Sequence, residues 1–350
     1  MKAFKKLFVF ASMIIPLLCG CSATNNHQGK KITDMGGVEI NLPTDINRVV
    51  VTSEPCADMM LTLGLSSKIV GAYYRILNNA WFEAFCPNCS EITPFKSYTP
   101  EAESLIALGT DLVIVPSPER AEELNAKGIL SITMRFYTPA EVVNAVNLLG
   151  VIFGGDAKSR GKEWLKDFEN AKNYAASKLT SEDNKPVAYE VLAAKGRGPF
   201  STYYGEGQAW LSFAGGELAT KDFEGATSST MPSEEAILAT NPDIIFIGGL
   251  YATKEYADLL VDEKWSEIAA VKNRNIHIEP MGPFSWNNGS TCYTLLIYYC
   301  FSCMYPEKVD FDMKQKAHDF YLKYYQKDCT ANEMDLMFNS LAPDGSELWE

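Results

Sequence analysis

Apolar and polar positions alternate singly over residues 32–42, with Gly36-Gly37 in the middle, which predicts a β-hairpin at the start of the folded region. Short apolar runs follow at residues 48–52, 69–73, 111–115 and 129–134 and predict strands, the first stopped by Ser53-Glu54-Pro55. Between them, residues 57–65, 101–108 and 119–127 carry helical spacing. Residues 156–179 then place Gly161, Trp164, Leu165, Phe168, Ala171, Ala175 and Leu179 three or four apart, the stripe of a single helix about 36 Å long at about 1.5 Å per residue. Beyond it the alternation restarts, with strands at 186–193, 243–248 and 276–279 and helices at 208–214 and 233–240. Short apolar strands alternating with helices indicate parallel sheets covered on both faces. The expected fold is therefore α/β, with lobes at residues 32–155 and 181–350 joined by one long α-helix at 156–180 and a ligand cleft between them.

Composition agrees with that division. A chain of 350 residues is long for one core and suits two, and 47% hydrophobic with 21% charged residues is a globular balance. The formal charge of -13 excludes nucleic acid as a partner and disfavours adsorption to an anionic bilayer, so membrane attachment needs a covalent anchor. Lys2, Lys5 and Lys6 precede an apolar run at 7–18, which makes residues 1–20 a secretory signal too short for a confident membrane span. Its ending, Leu18-Cys19-Gly20-Cys21, resembles a bacterial lipobox and implies lipidation of Cys21, with residues 21–31 as a polar tether.

In α/β sheets, ligands gather at the carboxyl ends of strands, where loops vary freely and helix N-termini present unpaired N–H groups. The segments after the predicted strands hold Glu54, then Tyr73, Tyr74 and Arg75, then Tyr98, then Arg135 and Tyr137 in the first lobe. In the second they hold Lys195 and Arg197, then Tyr203 and Tyr204, then Tyr251, then Phe284 and Trp286. The candidate ligand contacts are Tyr73, Tyr74, Arg75, Tyr98, Arg135, Arg197, Tyr203, Tyr204 and Trp286. Aromatic planes suit a large flat or catecholate ligand and Arg forks suit anionic oxygens, a mixture that fits a ferric chelate, haem, a corrinoid or an oxyanion. Each residue alone could equally be an amphipathic rim side chain.

Seven cysteines remain after Cys21. Cys86-Pro-Asn-Cys89 has the spacing of a redox pair or half a zinc site, and we expect a loop disulfide there; Cys300-Phe-Ser-Cys303 reads as buried thiols on a helix. An exported thiol oxidoreductase using Cys86 and Cys89 is the competing reading, and an adhesive lipoprotein a third. His27, His277 and His318 lie too far apart in sequence to suggest a cluster, so no metal site is expected. No nucleophile elbow, phosphate loop or metalloprotease motif occurs, so no catalytic residues and no cofactor are expected.

Several segments together resemble the ABC-importer binding proteins that take up iron-siderophores, haem or cobalamin. They are Ile32-Thr33-Asp34 with Gly37 and Arg48-Val49-Val50; Glu103 leading to Asp111-Leu112-Val113-Ile114; Ser233-Glu234-Glu235 leading to Asn241-Pro242-Asp243-Ile244-Ile245; and Ala270-Val271-Lys272-Asn273 before His277. The resemblance implies two Rossmann-like lobes on a rigid helical backbone, a small-molecule metal chelate as ligand, and a monomer that docks on the permease subunits of an importer. It also implies that Glu103 and Glu235, one per lobe, form the docking contacts. Read locally, each is equally a helix N-terminal acid complementing the dipole.

Overall fold

The computed structural model describes residues 29–196, 198, 202, 208–223 and 232–348. The opening hairpin pairs β1 (Lys30–Thr33) with β2 (Glu39–Leu42) antiparallel. Its turn is built by Asp34, whose carboxylate accepts the N–H groups of Gly36 and Val38, while Gly37 takes the left-handed φ of 82° that the reversal needs. The second oxygen of Asp34 accepts Thr133 N–H, which ties the hairpin to the first lobe.

That lobe is a parallel sheet of β3 (Val49–Val51), β4 (Ile69–Tyr73), β5 (Thr93–Phe95), β6 (Leu112–Val115) and β7 (Ser131–Thr133) in the order β5-β4-β3-β6-β7. The second lobe is a parallel sheet of β8 (Val187–Leu192), β9 (Glu217–Leu218), β10 (Ile244–Gly248) and β11 (Ile276–Ile278) in the order β11-β10-β8-β9. In both sheets the chain adds strands first on one side and then on the other. The strand order reverses between β3 and β6 and between β8 and β10, which opens a crevice at those carboxyl ends.

Side chains alternate across each sheet, and the two faces enter different cores. Val49, Val51, Leu112 and Ile114 face inward, and Val50, Val113 and Val115 pack with Leu105 and Leu124 on the outer face. The inner core is continuous through both lobes. It runs from the first sheet past Trp164, Phe168, Ala171 and Ala175 of the helix Gly155–Lys178 to Ile244 and Phe246 of the second. The long helix thus matches its apolar stripe to within a residue at each end. It does not work alone. The helix Pro139–Phe153 packs against it, and the chain reverses at Gly154 and Gly155, with φ of 65° and 45°.

Three helices near the C-terminal end, Tyr293–Met304, Met313–Tyr325 and Ala331–Phe338, complete this core. They return to the first lobe. Asp58, fully buried on the helix Glu54–Thr62, accepts Tyr325 O–H at 2.7 Å on one oxygen, and Thr291 N–H at 2.9 Å with the Ser290 and Thr291 hydroxyls at 3.0 Å on the other. Burial pushes this carboxyl up, and the donors around it pull it back. Trp81 Nε1–H donates to Leu341 O and Trp164 Nε1–H to Thr291 O, which extends the cross-connection. No described helix is long and apolar enough to cross a membrane.

Candidate functional site

The strand ends that face each other enclose a cleft of about 840 Å³, within the range of small-molecule sites. Glu54, Arg75 and Tyr98 line it from the first lobe, and Lys195, Tyr251 and Phe284 from the second. Tyr137 adds a further ring, and Ala342, Glu347 and Leu348 close one side from the C-terminal segment. This last wall bridges the lobes, since Leu341 accepts Trp81 N–H and Glu347 accepts the Thr253 hydroxyl.

The first-lobe wall is preorganised. Tyr98 lies over Tyr73 with ring centroids 3.7 Å apart, Tyr73 meets Tyr74 edge-on at 4.9 Å, and Arg75 Nε–H donates to Tyr74 Oη at 3.4 Å. Tyr73 is buried and supports the wall from behind, while Tyr98 keeps an exposed face. Burial pushes the Glu54 carboxyl above its ordinary range, and its own backbone N–H, Arg75 and Tyr98 pull it back.

Two sequence expectations are corrected here. Trp286 is no stacking plane for a ligand, because it is fully buried, donates Nε1–H to Tyr321 Oη at 2.9 Å and packs edge-on against Tyr299 and Phe338. Its neighbours Phe284 and Ser285 take the cleft positions instead. Arg135 does not reach the cleft either; its guanidinium turns to Glu141 at 3.3 Å, beside the start of the helix Pro139–Phe153. Arg197, Tyr203, Tyr204 and Cys21 lie outside the described residues.

The expected Cys86–Cys89 disulfide is absent, and all seven cysteines of the described residues are free. Cys86 hydrogen-bonds to Asn88, and its thiol is pushed up to about 12 by burial and by Cys89. A redox-active thiol requires the opposite shift, so the oxidoreductase reading finds no support. Among the described residues no three His, Cys, Asp or Glu side chains are grouped to hold a metal.

Beneath the cleft floor sits a pair that sequence reading missed. Glu190 of β8 and Glu279, just after β11, flank β10 and are both fully enclosed. Asn287 Nδ2 donates to one Glu190 oxygen at 2.6 Å; the other oxygen and both of Glu279 find no partner among the described residues. Gly248 makes the room, since a Cβ there would collide with Glu279 and Asn287. Burial pushes Glu279 up to about 8, and burial plus the neighbouring carboxyl hold Glu190 well above its ordinary value. Glu279 is thus protonated at neutral pH, and burial beside it favours the neutral form of Glu190 as well. Their raised folded-state values stabilise the fold at low pH, and that contribution drains away as pH climbs towards 8. From pH 6 to pH 8 urea unfolding should show a loss of about 2 kcal/mol from Glu279 alone. Glu279→Gln should flatten this slope and be the more stable protein at pH 8; an unchanged slope would mean that the pair does not titrate in this range.

A crevice between the switch points of two parallel sheets, with a shared helical core behind it, defines a solute-binding protein of the two-lobe type. The chain belongs to the family described as periplasmic binding protein, whose profile matches residues 49–280. It is 22% identical over 353 residues to the molybdate-binding protein MolA of Haemophilus influenzae, covering 90% of this chain and 96% of that one. It is 25% identical over 222 residues to a cobalamin-binding protein of Halobacterium salinarum, covering 61% and 57%. The crystal structure of a periplasmic solute binding protein from Veillonella parvula superposes with a TM-score of 0.72 at 24% identity, over 89% of this chain and 97% of that chain. Proteins of this family work outside the cytoplasm, bind small ligands and hand them to the permease components of ABC importers; the class is a transport class and not an enzymatic one.

Proposed function

We propose that the protein is a monomeric, lipid-anchored receptor that captures an iron-siderophore-type chelate, or a related haem or corrinoid, and delivers it to an ABC permease. The observation that carries this reading is the cleft itself. Its 840 Å³ would leave a tetrahedral oxyanion loosely held, whereas an organic chelate fills such a volume. Rings from both lobes offer stacking faces, and Arg75 and Lys195 stand on opposite sides to meet anionic oxygens of the chelate. Lipidation at Cys21 would hold this site near the membrane, and Glu103 and Glu235 would dock it.

Protein purified from its native host should carry ligand-derived absorbance, and mass spectrometry of the released compound identifies it. In titrations of the emptied protein with ferric siderophores, haem and cobalamin, one class should bind. Tyr98→Ala should then weaken it about tenfold by removing the stacking face, and Tyr98→Phe should keep most of the affinity. Arg75→Ala should cost a similar factor. If the parent binds none of the three classes, the chelate reading fails.

A further inference from the structure

The first lobe sets a helix end at the place where α/β folds commonly receive an anion. The helix Glu54–Thr62 starts directly after β3, at the point where the strand order of the sheet reverses. This is the position at which α/β folds commonly receive phosphate or carboxylate on free first-turn N–H groups, but here Pro55 has no N–H and the Glu54 N–H is taken by that residue's own carboxylate. Two observations mark this end as unusual. Ser53 stands at the N-cap but accepts no first-turn N–H; its hydroxyl is buried, 7% exposed, and has no partner. The next residue sends its own carboxylate into the space. Glu54 lines the cleft, accepts its own backbone N–H, and has Arg75 and Tyr98 beside it.

Resting on the reading of this cleft as a solute site, we propose that Glu54 is a specificity-determining residue: it occupies the helix-end anion position, rejects bare tetrahedral oxyanions, and restricts the site to organic chelates of low net charge that bring hydrogen-bond donors. Charge balance supports this. The described walls hold two cations, Arg75 and Lys195, and two acids, Glu54 and Glu347. A small dianion placed beside Arg75 would meet the Glu54 carboxylate in a poorly hydrated setting, where like charges are costly. A donor on a chelate's periphery, such as an amide N–H or a hydroxyl, would instead be received by the Glu54 carboxylate. The likeness to a molybdate-binding protein over 90% of this chain therefore does not carry molybdate across with it.

The test uses the full-length mature protein, with molybdate as probe in isothermal titration at pH 7.5, on the parent and on Glu54→Gln and Glu54→Asp. The parent should give no saturable heat up to millimolar molybdate. Glu54→Gln removes the charge and keeps the shape, so it should gain at least tenfold in molybdate affinity, whereas Glu54→Asp should still reject it. Matching thermal melts confirm that both variants are folded. Tight molybdate binding by the parent, or the absence of any gain in a folded Glu54→Gln protein, overturns the proposal. Separate titrations of the parent with ferric siderophores, haem and cobalamin report on the chelate reading, so its failure shows there and not in the molybdate series.

Discussion

Asp58→Ala is expected to lower the unfolding free energy by about 3–5 kcal/mol, the cost of removing a fully buried carboxyl on which four donors converge. Four donors converge on this carboxylate from Ser290, Thr291 and Tyr325, each more than 230 positions away along the chain. Truncation strands the Thr291 N–H and the Ser290 hydroxyl in a dry interface and leaves the Thr291 and Tyr325 hydroxyls only each other, at 3.0 Å, and Thr62, at 2.7 Å from Thr291. Asp58→Asn keeps the volume but offers one accepting oxygen in place of two, so it should fall between the parent and Ala. Tyr325→Phe removes a single bond and should cost about 1–2 kcal/mol. Urea unfolding of the three variants checks the order. A loss under about 1 kcal/mol for Ala would show that the donors find other partners and that the lobes are held mainly by apolar packing.

Reversing Glu103 and Glu235 together should reduce uptake through a reconstituted importer roughly tenfold or more while leaving the ligand dissociation constant unchanged. Each glutamate is exposed in the first turn of a helix that leads into a strand, β6 for Glu103 and β10 for Glu235, and neither makes an ion pair among the described residues. A crossover helix runs antiparallel to the strands it joins, so both first turns lie at the carboxyl-end face of their sheets, beside the cleft mouth. Ile106, one turn after Glu103, is 64% exposed and gives that contact an apolar neighbour. Under the proposed docking, the pair would present one fixed charge per lobe to a permease, and the spacing between them would report how the lobes are set. Full uptake by the reversed protein would reduce both residues to helix-end acids.

The strands were legible because each is a short apolar run bounded by turn residues, and eight of them, β2–β4, β6–β8, β10 and β11, fall where the pattern predicts, whereas β1 begins two residues early, at Lys30 in the stretch read as a tether. Two short edge strands escaped it. β5 contains Pro94 and is only three residues long, and β9 spans two residues, Glu217 and Leu218. The helix Pro139–Phe153 was missed although Thr138 caps it and Glu141 reaches back to the Tyr137 N–H, a start signal readable in Thr138-Pro139-Ala140-Glu141. Trp286 was misplaced by a general limit: a pattern names the loop at a strand end but not which of its side chains turns inward. Asp58 could not have been found, because its partners are set by tertiary contact alone. Glu190 could have been, since an acid in the middle of Val187-Ala188-Tyr189-Glu190-Val191 breaks an apolar run that has no exposed face.

The closure of the inner core by Tyr325 and the Leu341 carbonyl has a consequence for biogenesis. Both lobes hold their sheets early in the chain, yet the residues that join them arrive last. Contacts between such distant positions form slowly, because loop closure precedes any gain from the contact. A chain emerging from its amino end therefore remains without a finished core until its final helices are available. For a protein whose work lies beyond the membrane, such a delay would keep an exported polypeptide threadable during passage and postpone assembly of the binding cleft to the far side.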